Sequence, residues 1–200
     1  DRWRPPKKER YSSQGTRIDA QLREIIEMLQ SSFEPEIRKY YKMIKETGDI
    51  NTKDENWYTL LMRVIIYWVE DLFEILIDYF GTDINAKTNN WLTPLMIAVI
   101  HSKTKFVYEL INKTQIDINA QSDNWMTALM LSIDLEITQT LLLHPQIDLN
   151  LKNEDNKTAL EIFENNETQQ DEESEENDES IPNLEIAEMI KKHTKKEFIF

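Results

Sequence analysis

Four copies of one short sequence pattern recur along the chain at a nearly constant interval. Each copy reads Asp, then Ile or Leu, then Asn, and a Thr with an apolar run follows eight positions after that Asn. The copies begin at Asp49, Asp83, Asp117 and Asp148, so the intervals are 34, 34 and 31 residues. Self-similarity at such a period is typical of a stack of small units that bury their apolar faces against one another. We therefore expect function on the outer surface of the stack.

The second copy carries further residues of a known repeat. It continues as Thr93, Pro94 and Leu95, with Ala98 three positions later, which matches the T-P-L-H-x-A core of the ankyrin repeat. That repeat has a period of about 33 residues. The chain thus resembles an ankyrin-repeat protein over residues 19–195. The resemblance implies an all-α solenoid of antiparallel helix pairs, with a β-turn finger between successive repeats.

The Thr of each copy predicts where a first helix begins, because its hydroxyl can accept a hydrogen bond from a backbone N–H of the first turn. The predicted starts are Leu60, Pro94, Ala128 and Ala159. Apolar stripes predict second helices over residues 71–79, 104–111 and 135–142. The third copy is three residues shorter than the others. We expect the shortage in its first helix and the turn that follows.

Two further apolar stripes lie ahead of the first copy and predict one more helix pair. Ser31 or Ser32 is the predicted N-cap of its second helix, and Gly48 its end. We interpret this pair as a divergent repeat that caps the stack, since a terminal repeat exposes one face to water. The sequence therefore predicts one domain over residues 17–195, with four recognisable repeats and this capping unit.

The two ends of the chain differ in composition from the repeats. Residues 1–16 hold five basic residues, two consecutive prolines and no apolar period, which predicts an extended N-terminal arm. Either the arm is a disordered leader, or Trp3, flanked by two arginines, anchors it to another subunit or to RNA. Residues 196–200 form a predicted C-terminal tail, in which Phe198 and Phe200 either build a capping strand or offer a hook to a partner.

An acidic run interrupts the last copy. Residues 167–180 hold eight acidic residues and no basic one, and like charges at this density repel one another. We interpret the run as a solvated loop inserted between the two helices of the last repeat. Its role is either solubility alone or the binding of a basic partner.

The net charge of −14 and the absence of cysteine narrow the function. The charge disfavours nucleic acid, whose phosphates need Lys and Arg, and favours a partner with a basic surface. Without cysteine, no disulfide framework or thiolate chemistry is expected. No apolar stretch reaches the ~20 residues that span a bilayer, so we expect a soluble chain, with the cytoplasm as its default location. The first residue is Asp rather than Met, which suggests a processed product or part of a longer protein.

Three copies depart from the family at the tip of the finger. The family usually has Gly two residues before the Thr, where the turn can need a positive φ. These copies have a tryptophan there instead: Trp57, Trp91 and Trp125. Tryptophan tolerates a left-handed backbone poorly, so the preceding residue, such as Asn90 or Asn124, is predicted to adopt the unusual dihedral. The fourth copy has Asn156, a conservative replacement for Gly.

Tryptophans one repeat apart are expected to form a ladder along the finger side, since packed helices lie ~8–10 Å apart. One interpretation is an aromatic track for a bound peptide or subunit, because tryptophan offers a large contact area with few rotatable bonds. The other is that each indole stacks on the adjacent finger and fills space that a Gly-poor turn leaves open.

The His of the family core, which bonds back to the Thr hydroxyl, is replaced in all four copies. It is Met62, Met96 and Met130 in the first three and Glu161 in the last. We predict that one polar contact per repeat is thereby lost and that Met fills the space.

No catalytic, cofactor-binding or metal-binding residue is predicted, since the histidines lack ligand spacing and the three glycines cannot form a phosphate loop. We predict a non-enzymatic module that binds a protein partner on its finger or concave face, where neighbouring carboxylates select a basic partner. The predicted contact residues are Trp57, Trp91, Trp125, Asn90 and Asn124. Two alternatives stay open. The chain is a structural subunit of a large multiprotein assembly, anchored through Trp3, Phe198 and Phe200, or the regulatory ankyrin domain of a longer protein.

Overall fold

The computed structural model describes residues 13–165 and 180–197, and within them the regular secondary structure is entirely helical. These residues form α1 (Ser13–Ser31), α2 (Pro35–Thr47), α3 (Leu60–Tyr67), α4 (Glu70–Asp78), α5 (Pro94–Ile100), α6 (Thr104–Ile111), α7 (Leu135–Leu142), α8 (Ala159–Asn165) and α9 (Ser180–Glu197). None of these helices combines the length and the apolar character that a bilayer crossing needs.

Consecutive helices form pairs that stack in a row. α1 packs on α2, α3 on α4, α5 on α6 and α8 on α9. Turns of two or three residues join the first three pairs, and such short connections make the paired helices run antiparallel. α3 also packs against α5, α6 against α7 and α7 against α9, which joins the pairs into one stack. The predicted all-α repeat solenoid is confirmed.

One continuous hydrophobic core runs along the stack and takes side chains from every helix described. Between neighbouring pairs, Phe73 of α4 stacks on Phe106 of α6 with ring centroids 4.0 Å apart. Both side chains are fully buried. Helices of seven to nine residues, such as α3 to α8, are too short to be stable alone, so this packing between units stabilises them.

The Thr of each copy caps a helix or turn as the sequence predicts. The hydroxyls of Thr59, Thr93 and Thr127 each accept a hydrogen bond from the backbone N–H three residues later. In α5, Pro94 stands in the first turn, where a missing N–H removes no intrahelical bond. Three of the four predicted first helices are confirmed, since α3, α5 and α8 begin at the expected residues. α4, α6 and α7 lie within one residue of the predicted second helices.

The predicted first helix at Ala128 is wrong. Residues 128–131 form only a turn. The third copy is three residues short, and the chain that remains before α7 is too short for a second helical turn. The buried hydroxyls of Ser132 and Thr138, 2.8 Å apart, join this turn to α7. The shortage thus falls where the sequence analysis placed it, but it removes the helix rather than shortening it.

Three boundaries near the chain ends differ from the predictions. The N-cap of α2 is Glu34, because Pro35 takes the first helical position, and the Ser32 hydroxyl instead accepts from the Glu34 N–H. α1 includes residues 13–16 of the predicted arm, since a nucleated helix extends beyond its apolar stripe at little cost. α9 includes residue 180 of the predicted loop and residues 196 and 197 of the predicted tail. The rest of the arm, the acidic loop and the tail lies outside the described residues.

Four longer connections join the successive helix pairs and carry the repeated pattern. We call them finger 1 (residues 48–59), finger 2 (79–93), finger 3 (112–127) and finger 4 (143–158). Finger 1 begins at Gly48, which ends α2 as predicted with a φ of 70°. At this value a residue with a side chain would be strained.

An asparagine side chain bonds each finger to the next. In finger 2, Asn85 donates from Nδ2 to the Gln115 carbonyl of finger 3 (2.6 Å) and accepts from the Asp117 N–H (2.9 Å). Asn51 makes the same two bonds to finger 2, and Asn119 makes them to finger 4. The bridge explains the Asn of the repeated pattern, because it satisfies backbone groups that no helix or strand pairs.

The other two residues of the pattern have separate tasks. The Asp accepts a hydrogen bond from the N–H of the Asn, as Asp83 does from Asn85 at 3.0 Å, and so orients the bridging residue. The apolar residue between them is buried in the first three copies, as Ile50, Ile84 and Ile118. The Asp and the apolar residue thus hold a finger to its own repeat, and the Asn bonds it to the next finger.

Asn85→Ala is expected to lower the free energy of unfolding by about 1–3 kcal/mol, because the Gln115 carbonyl and the Asp117 N–H lose their bridge. Urea denaturation measures the change. Asn112→Ala is the control, since the Asn112 amide bonds to Tyr108 of its own helix, and we expect a change below about 0.5 kcal/mol. Equal effects of the two substitutions would show that the bridge does not hold the fingers together.

Candidate functional site

Each finger contains a tight three-residue loop of the same geometry. In finger 2, the Trp91 N–H donates to the Thr88 carbonyl (3.0 Å) and the Thr88 N–H donates to the Leu92 carbonyl (3.0 Å), which closes the loop 89–91. The same two bonds close the loops of the other fingers, within residues 54–58, 122–126 and 153–157. A three-residue hairpin loop of this kind ends in a residue with a left-handed backbone.

A side-chain oxygen just before each loop holds it closed. The Thr88 hydroxyl accepts from the Leu92 N–H at 3.1 Å. The corresponding residues of the other fingers make the same contact: Asp54, Ser122 and Asn153. The recurrence of this position is not visible in the sequence because four residue types fill it. Their common property is an acceptor oxygen on a short side chain.

The last residue of the loop, which is the tryptophan in three fingers, has the left-handed backbone. The φ values are 64° at Trp57, 60° at Trp91, 59° at Trp125 and 60° at Asn156. The prediction that the preceding asparagine adopts this dihedral is wrong, since neither Asn90 nor Asn124 has a positive φ. The hydrogen bonds of the loop determine which position is left-handed, whatever its side chain. For tryptophan this backbone costs about 1–2 kcal/mol, whereas Gly and, to a lesser degree, Asn adopt it more easily.

The three indoles are exposed to solvent. The exposed fraction is 55% for Trp57, 56% for Trp91 and 58% for Trp125, and we call these side chains the indole row. The Lys53 ammonium lies 5.2 Å from the ring centroid of Trp57, and that of Lys87 lies 4.9 Å from the ring centroid of Trp91, which are cation–π distances. Within the described part of the chain, no group accepts a hydrogen bond from the three indole N–H groups. This exposure supports the aromatic-track interpretation over packing between fingers.

A cleft of about 450 Å³ lies between fingers 1 and 2. Its lining residues are Lys53, Trp57, Lys87, Thr88, Asn89 and Trp91. The lining comes from both fingers, so the Asn51 bridge between them also sets the width of the cleft.

A buried ion cluster holds finger 1 on the helices beneath it. The Asp54 side chain is fully buried, and its Oδ2 accepts from Arg63 of α3 at 2.6 Å and 2.8 Å. The Lys39 ammonium of α2 lies 3.0 Å from the same oxygen. The Arg63 guanidinium lies 4.4 Å from the Tyr58 ring centroid, and the Tyr40 hydroxyl donates to the Tyr58 carbonyl. Side chains of two helices thus converge on the base of one finger.

The cluster keeps Asp54 ionised. Burial alone raises the pKa of its carboxyl group, but hydrogen bonds from Arg63, the Tyr58 backbone and Lys39 outweigh this and lower the pKa to about 2. Desolvation lowers the pKa of Lys39, and hydrogen bonds to carboxylates outweigh it and raise the pKa above its usual value. Replacing Asp54 by a neutral residue would leave the buried Arg63 guanidinium without its carboxylate, which is strongly destabilising.

Three carboxylates meet at this cluster, as they do in many cation sites. Oxygens of Glu36, Asp54 and Glu55 lie within 4.8 Å of one another. The Lys39 ammonium lies 2.6 Å, 3.0 Å and 3.1 Å from these three groups in that order. Lys39 and the Arg63 guanidinium therefore offset two of the three negative charges at this point. The acidic side chain in the loop of finger 1, Glu55, is paired by the same ammonium.

The polar contact of the family His is kept in the last copy. Glu161 accepts through Oε2 from the Thr158 N–H (2.7 Å) and hydroxyl (2.9 Å), which makes a capping box at α8. In α3, the Thr59 N–H lies 3.4 Å from the sulfur of Met62. The prediction that every copy loses this contact is wrong for Glu161, because its carboxylate reaches back to the cap.

The two asparagines predicted to contact a partner join neighbouring finger tips. The Asn90 carbonyl accepts from the Asp123 N–H (3.1 Å), and the Asn124 carbonyl accepts from the Glu154 N–H (3.2 Å). Their backbone therefore supports the tips, next to the exposed indoles. The remaining predicted contact residues lie outside the described residues: Trp3, Phe198 and Phe200.

Comparison with known proteins agrees with this architecture. A family model described as ankyrin repeats (3 copies) matches residues 25–122 and 61–153, which together make up more than half of the chain. A search of curated proteins gives no match. The family match does not fix the number of repeats, so four repeats and a capping unit stay a prediction.

The ionised Asp54 makes stability depend on pH in acid. Its pKa falls from 3.8 to about 2 on folding, so its contribution of about 2 kcal/mol is present above pH 3.8 and is lost as the pH falls through 2. Urea denaturation from neutral pH down to about pH 2 measures the loss. Asp54→Asn does not titrate, and we expect it to be less stable at neutral pH and to lose less stability in acid. Parallel pH curves for the two proteins would contradict the assignment.

Trp91→Asn is expected to change the free energy of unfolding by no more than about 1 kcal/mol, because relief of backbone strain offsets the partial loss of indole contact. The substitution copies finger 4, where Asn156 has the same backbone conformation. Leu95→Ala is the comparison, since Leu95 is buried, and should cost about 2–5 kcal/mol. A loss above 2 kcal/mol for Trp91→Asn would mean that the indole serves the packing of the fingers.

Proposed function

Because the chain belongs to the ankyrin repeat family, whose repeats generally mediate protein–protein interaction, we propose that it is a non-enzymatic module that binds a protein partner along its fingers. The family is typically non-enzymatic. The indole row supplies the proposed anchors, one at the same loop position of each of three successive fingers. Asn90 and Asn124 hold the tips that present them.

One observation carries the proposal: the indole row is both strained and exposed. Gly would adopt the same backbone without strain, and Asn156 closes finger 4 without an indole. Strain that folding does not require is typical of functional positions. An exposed tryptophan offers a partner a large contact area and loses little rotational freedom on binding.

The charge of the chain is unevenly distributed with respect to the fingers. Residues 167–180 contribute eight of the negative charges behind the net value of −14. We propose that a basic surface of the partner meets this run, because it holds eight acidic residues and no basic one. Membership of a large complex through the two chain ends, and a cytoplasmic location, stay proposals.

The test compares proteins recovered from extracts of the source cells by three forms of the full chain. They are the wild type, the variant with Asn at all three positions of the indole row, and the chain without residues 1–12 and 198–200. We expect the triple variant to recover less than about a tenth of the partner protein that the wild type recovers, since buried aromatic anchors contribute about 2 kcal/mol or more each. The shortened chain should keep them.

The control for folding is the circular dichroism and urea denaturation of each form. Partners retained by the triple variant and lost from the shortened chain would contradict the proposal. That result would favour a structural subunit anchored through its ends.

A further inference from the structure

The cleft between fingers 1 and 2 is positively charged although the chain as a whole is acidic. Lys53 and Lys87 line it, and neither forms an ion pair within residues 13–165 and 180–197. The Lys53 ammonium donates to the Lys87 carbonyl across the cleft at 2.7 Å. The Lys87 ammonium has no hydrogen bond in the same residues and lies beside the Trp91 ring. An ammonium group held against an indole is therefore free to pair with an incoming anion.

No other finger combines an unpaired lysine with a tryptophan. In finger 3, Gln121 takes the place of the lysine, and its amide donates to the carbonyls of Trp125 (2.8 Å) and Lys152 (2.9 Å). This position therefore carries no charge, and the Gln121 amide already donates two hydrogen bonds within the protein. Finger 4 has Lys152 but closes with Asn156 instead of an indole. Among the four fingers, the combination is thus confined to the cleft; the pair of Lys103 and Trp68 lies in the turns between paired helices.

The finger tips around the cleft also lack a bond that the other tips make. Finger 3 donates to finger 2 from the Asp123 N–H, and finger 4 donates to finger 3 in the same way. The corresponding groups of fingers 1 and 2 are the Asn56 carbonyl and the Asn89 N–H, and no such bond joins them in the structure as described. The Asn89 N–H of the cleft lining and the Asn56 carbonyl, which adjoins the lining residue Trp57 in sequence, therefore have no hydrogen-bond partner in the part of the chain that the structure describes.

The carboxylates nearest to finger 1 do not cancel this charge. Asp54 is buried and bound by Arg63, and Glu55 is paired with Lys39. The loop of finger 2 has asparagine at positions 89 and 90 and no acidic residue. A negatively charged group entering the cleft therefore meets two ammonium groups and no free carboxylate of these two loops.

We infer that this cleft binds an extended peptide segment of the partner and pairs an Asp or Glu side chain of that segment with Lys87. The inference rests on the protein-binding function proposed above and adds the chemistry of the partner. Trp57 and Trp91 flank the segment, and the Asn56 carbonyl and Asn89 N–H offer it one main-chain acceptor and one donor. Peptide main chain carries both complementary groups on every residue except proline. Nucleic acid fits less well, since two lysines on a chain of net charge −14 neutralise few phosphates.

A random dodecapeptide library displayed on phage tests the inference with the full chain as bait. The baits are the wild type, Lys87→Glu and the matched control Lys152→Glu, which makes the same charge change beside Asn156. We expect the wild type and the control to select sequences enriched in Asp and Glu next to apolar residues. Lys87→Glu should not select them.

The best selected sequence, made as a labelled synthetic peptide, is then titrated by fluorescence anisotropy. Lys87→Glu and Trp91→Asn should each weaken its binding by roughly tenfold or more, and Lys152→Glu by less than about twofold. Binding should weaken as salt is raised, because the pair is exposed to solvent.

The outcomes separate this inference from the function it rests on. Peptides that need Trp91 but are not enriched in acidic residues, or are enriched in Lys and Arg, would overturn the acidic segment and leave the binding function in place. Failure to select any peptide, or binding unchanged by Lys87→Glu, would also overturn it. The function proposed above fails on a different result, in which the triple indole variant keeps its natural partners and the shortened chain loses them.

Discussion

The asparagine bridge from each finger to the next is the interaction on which the rest of the structure depends. Asn51, Asn85 and Asn119 each satisfy one carbonyl and one N–H of the following finger, in segments that no helix pairs. Helix packing fixes the buried side chains but leaves long connections free to separate. The bridges remove that freedom. They set the distance between fingers, and with it the spacing of the indole row and the width of the cleft.

The stack itself could be predicted from the sequence, because a regular interval between copies reports directly on repeated packing. The Thr of each copy also marked the start of three of the four first helices, because its hydroxyl caps the first turn. The prediction of a first helix failed in the third copy. This copy is three residues shorter than the others, so residues 128–131 form a turn instead of a helix. The prediction of an N-cap also failed at α2, where Pro35 moved the cap away from the serines, since a ring without an N–H suits the first helical position.

The candidate site could be predicted only in part. The sequence placed the indoles one repeat apart, but their exposure depends on which loop residue is left-handed, and the hydrogen bonds of loop closure decide that. The residue that accepts the closing bond could not be recognised as a repeated position, because Asp54, Thr88 and their counterparts differ in type. Net charge also does not describe the surface of a single finger. It counts every carboxylate equally, whereas Lys39 and Arg63 already pair with those beside finger 1.

The left-handed tryptophans also bear on how this chain changes by mutation. A tryptophan codon becomes a glycine codon by a change of its first base, so the residue that relaxes a finger tip is always one mutation away. Asn156 shows that the stack accepts a replacement at this position. Under the proposed function, binding of the partner selects for three indoles where a simpler residue would fold more easily. Substitutions at the finger tips are therefore expected to follow changes in the partner's surface, whereas substitutions in the helices are limited by packing in the core.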